Sequence, residues 1–366
     1  MKILIAPNAF KGTISAFRAA EIIAQSIKET VPQAEILSCP IADGGDGTCE
    51  LLGASLGLEK VEMQALNALG KPTEGFFYWD QEHLIAYMDV STVSGIKDLK
   101  DHEKNPWIAS TYGTGELMVQ ALEKGAKTIV LGLGGSASVD LGSGILRALG
   151  YLFLDSFGRE LPVFSDSFLA KARLLQSPIK KYGFKVVCLC DVDNYFFGDH
   201  GAIPVFGPQK GLLEEDHASY EKVCKELISI FQRKTAKPLN DQAGFGAAGG
   251  VAYGLSCFFP TEIKRGAQWF FEAVGLEEKI QWADLIITGE GKFDFQSAAG
   301  KGSYELKQLA DQLGKPTLLI SSGEEGKSSG FQDFIQLPEL TENDPKLIET
   351  AEINLAEAVK AYFRQG

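Results

Sequence analysis

Between residues 127 and 144 the chain reads KTIVLGLGGSASVDLGSG, and the residues able to do chemistry lie in its second half. Gly134 and Gly135 permit positive φ and expose successive backbone N–H groups, while Ser136, Ser138 and Asp140 set hydroxyls and a carboxylate beside them. Such a turn suits an oxyanion or a metal-bound phosphate. A tight strand-to-helix turn would use the same glycines, so the ligand reading depends on recurrence. The pattern does recur. DGGDGT at 43–48, CDVDN at 190–194 and TGEGKFD at 288–294 each end or follow an apolar run with glycine, acid or both, and GFGAAGG at 244–250 repeats the glycines. Loops of this kind gather at the carboxyl ends of parallel strands, where open α/β sheets bind ligands.

Three of these stretches carry carboxylates suited to hard cations or to proton transfer. Asp191, Asp193 and Asn194 leave one apolar run together, as two carboxylates and an amide of the sort a magnesium nucleotide uses, or with one acid acting as base. Asx-turn chemistry, in which these residues satisfy their own loop, is the competing use. Lys11 follows the first apolar run, Lys210 sits in the turn FGPQKG, and Lys301 follows Gly300. Glycine turns, carboxylates and loop lysines together supply what phosphoryl transfer requires: backbone donors, ligands for magnesium, and cations beside the moving group. No Walker A sequence is present, because the position of its earlier glycine is Phe295 and Gly302 follows Lys301. The protein-kinase HRD and DFG signatures are absent too. The formal GxGxxG at 244–249 follows a polar stretch instead of a strand, so close packing or backbone approach explains it better than a dinucleotide.

The elements that must position these residues are legible from composition and pattern. At 366 residues and 45% hydrophobic, the chain can bury a large core, and its length favours two domains. Its 40 glycines mark strand ends and not low-complexity tracts. A net charge of -13 and a pI near 4.9 would repel a phosphate backbone, which argues against nucleic acid. Six scattered cysteines form no CxxC pair and read as small core residues in a reducing cytosol, and no apolar segment approaches the ~18 residues that would span a bilayer. A cytoplasmic protein without a membrane partner is expected. The oligomeric state is not set by the sequence, which is compatible with a homo-oligomer.

Residues 2–6 and 35–41 read as strands flanking an amphipathic helix with Ala19, Ala20, Ile22, Ile23 and Ile27 on one face, capped by Thr13 or Ser15. From 58 to 90 three alternating runs predict antiparallel strands and the start of a second domain. A helix over 114–125 feeds the strand at 128, another follows over 142–149, and 185–190 is a further buried strand. A helix is expected around 165–175, and a long one from 212 to 233. From 282 the βαβ rhythm resumes, with strands near 286, 318 and 334 and a closing helix from 345. Strands near 3, 37, 286, 318 and 334 then form one five-stranded doubly wound parallel sheet. The expected domains are 1–57 with 282–366, and an inserted 58–281.

The stretches PNAFKGTISA, ADGGDGT, STYGTGEL, GLGGSAS, CDVDN, FGPQKG, GAAGG and ITGEGKFDFQSAAGK occur in one order. Together they resemble the bacterial glycerate kinase family, similar to the glycerate 2-kinases, from Lys2 to about Lys301. The resemblance implies two α/β domains, a flavodoxin-like doubly wound parallel sheet interrupted by a mixed-sheet, restriction-endonuclease-like insertion, with the active site in the cleft between them. It implies ATP and Mg2+ as cofactors and D-glycerate as acceptor, with 2-phosphoglycerate favoured over 3-phosphoglycerate. A nucleotide- or flavin-dependent oxidoreductase and a non-enzymatic small-anion-binding protein are the alternatives.

Carried over position by position, the resemblance points to Asp193, Asp191, Lys11 and Asp294 as catalytic. It points to Asp43, Asp46, Asn194, Glu290, Gln296, Ser297 and Lys301 as substrate- or phosphate-binding, and the glycine turn and loop lysine add Gly134, Gly135, Ser136 and Lys210. Asp191 is the metal candidate, with Asp193 as base or orienting group, and the two roles can be exchanged. The chain departs from the usual pattern at Asn8, Val139, Lys292 and Gly302, where the family has aspartate, asparagine, arginine and proline. Asn8 lacks a carboxylate and Lys292 lacks the bidentate fork of arginine, so acceptor preference is where a difference is expected.

Overall fold

A computed structural model describes residues 1–10, 12–293, 302–340 and 346–365. Lys11, Asp294, Gln296, Ser297 and Lys301 lie outside the described residues. In chain order the strands are β1 (Lys2–Ile5), β2 (Glu35–Ser38), β3 (Glu59–Leu66), β4 (Pro72–Asp80), β5 (Ile85–Asp89), β6 (Thr128–Gly132) and β7 (Leu152–Leu154). They continue with β8 (Leu174–Gln176), β9 (Lys185–Cys190), β10 (Thr261–Arg265), β11 (Leu285–Lys292), β12 (Thr317–Ser322) and β13 (Asp333–Leu337). The chain forms two compact units, Met1–Asp43 with Arg265–Gly366, and Gly44–Lys264.

The first unit holds a five-stranded sheet in the order β13-β12-β11-β1-β2, and every pairing in it is parallel. These are the five apolar runs expected to pair. Central strands buried on both faces read as unbroken aliphatic runs, and Ile3, Leu4, Ile5, Ile286 and Ile287 have no exposed surface. The helix Ala16–Thr30 begins at Ser15, whose hydroxyl accepts the Arg18 N–H at 3.2 Å, while the Thr13 hydroxyl turns to the Phe10 carbonyl. Its Ala19, Ala20, Ile23 and Ile27 join Leu355 and Val359 of the helix Leu347–Gln365 in one core with β1, β11 and β12. Each fully buried isoleucine or leucine there contributes about 1.5–3 kcal/mol.

The second unit holds a six-stranded mixed sheet in the order β10-β9-β6-β5-β4-β3. The strands β3, β4 and β5 pair antiparallel, as their alternation and turn residues require, and β5, β6 and β9 pair parallel. The carboxyl ends of β5, β6 and β9 therefore stand side by side. That edge positions the glycine-rich turn.

Three local expectations differ. The helix expected around 165–175 is one turn, Phe168–Lys171, followed by β8, which pairs antiparallel with β7 around buried Phe153. Leu174, Leu175 and Gln176 are taken by that ladder, and a tertiary pairing overrides a local helical pattern. The long helix starts at His217 after a short turn, because Leu213 is extended. The unit boundaries fall earlier in the chain than 57/58 and 281/282. Helix Thr48–Ser55 packs on β4, β5 and β6 and so belongs with the second unit, and the helices Gly266–Ala273 and Leu276–Trp282 belong with the first.

Candidate active site

In the second unit, β6 ends at Gly132 and the turn begins. Gly135 has φ +66, and Gly134 lies against the chain at Gly45 and Asp46, where a Cβ would come within 2.1 Å of the Asp46 nitrogen. No side chain fits there. Ile96 N–H donates to the Gly135 carbonyl and Ala137 N–H to that of Ser94, so the turn is stitched to the segment after β5. Among the described residues, the N–H groups of Gly134 and Gly135 themselves meet no acceptor. Two successive unpaired amides on a partly exposed turn make a ready oxyanion seat. Asp46 stands beside them, its carboxylate within about 3.2 Å of the position a Gly135 Cβ would take, and it is paired with Lys97.

The rest of the turn is occupied with holding itself. Asp140 is buried, and its carboxylate accepts from Thr111 N–H and O–H at 2.9 Å and from Gly142 and Gly144 N–H at 3.1 Å. Burial raises its pKa against the pull of those donors. It is a structural hub, so the N-terminus of helix Ser143–Ala148 is closed to ligands by its own acid. Ser138 is wholly buried.

Lys210, in the turn FGPQKG, points inward. It is 3% exposed, and its ammonium donates at 2.7 Å to both the Ser136 hydroxyl and the Ser138 carbonyl. Burial pulls its pKa down to about 7, with Asp140 opposing. Pro208, Gln209 and Gly211 of the turn stay exposed while Lys210 folds inward, and Gly211, at φ +89, lies against the Lys104 backbone, an approach that only glycine allows.

The sequence reading missed Asp89, the last residue of β5. It is 2% exposed, and both its oxygens accept the Cys49 N–H at 3.1 Å while one also accepts Glu50 N–H at 3.1 Å. It thereby caps the helix Thr48–Ser55 from another strand and fixes the DGGDGT loop that carries Asp46. Gly132 leaves the room, since a Cβ there would lie 2.0 Å from the Asp89 carboxylate. Desolvation pushes the Asp89 pKa up to about 7, over the opposing amide donors. The signal was available: an acid closing an apolar run, as at Asp43 and Asp191.

Strand β9 delivers Asp191, partly buried, and Asp193, exposed, next to the Gly134 turn on β6. The Asn194 amide donates to the His200 carbonyl at 2.8 Å and its own carbonyl accepts from Gly246, so this residue does serve its loop. The GFGAAGG stretch packs against both turns. A Cβ at Gly249 would lie 2.1 Å from the Ser138 carbonyl, and one at Gly246 2.5 Å from that of Tyr195. These glycines permit backbone contact and form no dinucleotide fingerprint.

In the first unit, Asn8, Asp43 and Glu290 follow or end β1, β2 and β11. The Asn8 Oδ1 accepts from Ala9 N–H at 2.7 Å, which fixes the amide so that its Nδ2 donates to the Asp43 carboxylate at 3.0 Å. Gly302 lies beside this pair, its Cβ direction 3.4 Å from the Asn8 Nδ2. Two of the four departures thus meet at one acid. Glu290 is buried on β11, Lys292 is exposed at its end, and Val139 is a core residue with no exposed surface. Among the described residues no group of three histidine, cysteine or acidic side chains forms a ready metal cage.

The model of the glycerate kinase family matches residues 3–365. A glycerate kinase of Bacillus subtilis is 34% identical over 325 residues, 88% of this chain and 85% of its own. A glycerate 2-kinase of Escherichia coli is 33% identical over 326 residues, with coverages of 88% and 85%. The crystal structure provisionally assigned as glycerate kinase 2 from Salmonella typhimurium LT2 superposes with a TM-score of 0.84 at 29% identity, covering 100% of this chain and 98% of that one. The ordered motifs, the paired parallel and mixed sheets and a family match over nearly the whole length agree: this chain belongs to the glycerate kinase family.

Proposed function

We propose that the chain transfers the γ-phosphoryl group of ATP, taken as its magnesium complex, to the 2-hydroxyl of D-glycerate. The observation that carries this reading is the edge formed by β6 and β9. There, two unpaired amides at Gly134 and Gly135 lie in the turn after β6, and Asp191 and Asp193 follow the adjacent strand β9. Donors for phosphoryl oxygens thus adjoin carboxylates for a metal and a hydroxyl proton. The names of the relatives, glycerate kinase and glycerate 2-kinase, support the acceptor and the 2-position.

The donor set fits magnesium, a hard cation that is commonly held by one or two carboxylates with substrate phosphates and water and seldom by an all-protein cage. Asp191 would hold it, directly or through water. When bound, magnesium neutralises charge on the phosphates. Asp193 accepts or orients the acceptor hydroxyl proton, Gly134, Gly135 and Ser136 orient phosphoryl oxygens, and Asp46 fixes the neighbouring loop. Asp43, Glu290, Lys11, Asp294, Gln296, Ser297 and Lys301 are assigned to binding or charge neutralisation on the resemblance. The six cysteines are buried and form no disulfide, which supports the reading of a reducing cytoplasm, and among the described residues no helix is long and apolar enough to cross a membrane.

ADP release from ATP and magnesium, measured over a panel of small hydroxy acids, tests the reading. D-glycerate should give the highest kcat/KM. Another acceptor ahead of it would overturn the substrate assignment, and binding without ADP release would make this an anion-binding protein.

A further inference from the structure

Lys210 is a cation sealed inside the second unit, and among the described residues no carboxylate is hydrogen-bonded to it. A buried ammonium without a directly bonded counter-ion is costly, and such groups concentrate at functional sites. Its two hydrogen-bond partners, the Ser136 hydroxyl and the Ser138 carbonyl, both belong to the glycine turn. The same turn carries the unpaired amides of Gly134 and Gly135. Ammonium and amide dipoles therefore bear on one short segment with the same sign.

We propose that Lys210 is the electrostatic floor of an oxyanion seat at Gly134 and Gly135: it positions the turn from beneath and supplies the charge that an anion of phosphoryl geometry meets through it, without touching the anion. The inference deepens the function proposed above and rests on that reading only for the anion's identity as a phosphoryl group.

Two groups with a pKa of about 7 border the turn, Lys210 bonded to Ser136 and Ser138 and Asp89 against Gly132, and of the two only Lys210 gains a positive charge that favours an anion. Asp140, in the same turn, is held by four donors. Tyr220, on helix His217–Thr235, donates to the Pro106 and Val139 carbonyls, and burial holds its phenol well above its ordinary value. Lys104, whose backbone lies against Gly211, is paired with Asp101 at 2.7 Å. Asp46 and Lys97, on the other side of the turn, pair with each other. Since burial lowers the Lys210 pKa to about 7, an anion that favours the ammonium must draw a proton onto it.

Sulfate is the suitable probe, because it has tetrahedral oxyanion geometry and does not itself titrate near neutrality. The 15N-glycine-labelled protein is titrated with sulfate between pH 7 and 9, and the Gly134 and Gly135 amide resonances are followed. These two resonances should shift, and the fitted Kd should weaken with pH, approaching about tenfold per unit once Lys210 is mostly neutral. Lys210→Met should fold with unchanged or higher Tm, since a buried charge is removed, yet bind sulfate at least about tenfold more weakly and without the pH dependence. A wild-type Kd that is flat from pH 7 to 9, or sulfate shifts that spare Gly134 and Gly135, overturns the proposal even if the variant does not fold. A folded Lys210→Met with wild-type affinity overturns it as well. No turnover is required, so a failure to phosphorylate glycerate leaves these outcomes distinct.

Discussion

Replacing Gly134 by alanine should disable the site while leaving most of the fold in place. The new Cβ would lie 2.1 Å from the Asp46 nitrogen, 2.3 Å from the Gly45 carbonyl carbon and 2.7 Å from the Gly45 Cα. All three are backbone atoms, so no rotamer change relieves the overlap. Ordinary contact needs about 3.5 Å, so the two loops must part by more than about 1 Å. Overpacking of this kind costs about 1–3 kcal/mol of stability. A misplacement of about 1 Å at a reacting site can cost ~100-fold in rate. Gly183 is the control, because its backbone is not left-handed and a Cβ there meets nothing within 4 Å. Steady-state kinetics with D-glycerate and ATP, alongside thermal unfolding, should show Gly134→Ala losing about two orders of magnitude in kcat/KM with a modest fall in Tm. Gly183→Ala should match the wild type. A Gly134→Ala enzyme with near wild-type kcat/KM would refute the claim that contact between these loops builds the site.

Two further outcomes follow from the carboxylates. Asp193→Asn should lower kcat by about 10²–10⁴ with the fold and nucleotide affinity intact, as expected for a base or orienting group; an unchanged kcat would leave Asp193 as a turn former and pass the role to Asp294. For Asp89 the folded pKa of about 7 lies above the unfolded value, so the native state binds the extra proton between about pH 4 and 7. The wild type should therefore lose stability relative to Asp89→Asn as pH rises through that window, with no further change above it; chemical denaturation at pH 4.5, 6 and 7.5 checks this, and a wild-type advantage growing with pH contradicts it.

The central strands β1, β11 and β12 were legible because each is a short aliphatic run, and a strand buried on both faces must read that way, whereas the partly exposed edge strands β2 and β13 were legible from their place in the βαβ rhythm. The candidate site was legible only where glycines or acids cluster in sequence, as at Gly134 and Asp191. Asp89 escaped because its partners are the amides of Cys49 and Glu50, forty residues back, and an acid closing the run AYMD marks a strand end without showing what it holds. The burial of Lys210 was illegible for the complementary reason. Gly-Pro-Gln-Lys-Gly has the chemistry of an exposed turn, and Pro208, Gln209 and Gly211 are exposed, but the partners that draw the lysine inward, Ser136 and Ser138, lie more than seventy residues back. The helix expected around 165–175 failed because β7, three residues long, was too short to announce the partner it offers to Leu174–Gln176.

The most direct test of the account is the 31P NMR spectrum of a reaction containing the protein, magnesium, ATP and D-glycerate. One phosphomonoester resonance assigned to 2-phosphoglycerate should grow in step with ADP and be absent without glycerate. A product phosphorylated at the 3-hydroxyl would overturn the positional claim, and ADP formation that is indifferent to glycerate would contradict glycerate phosphorylation itself.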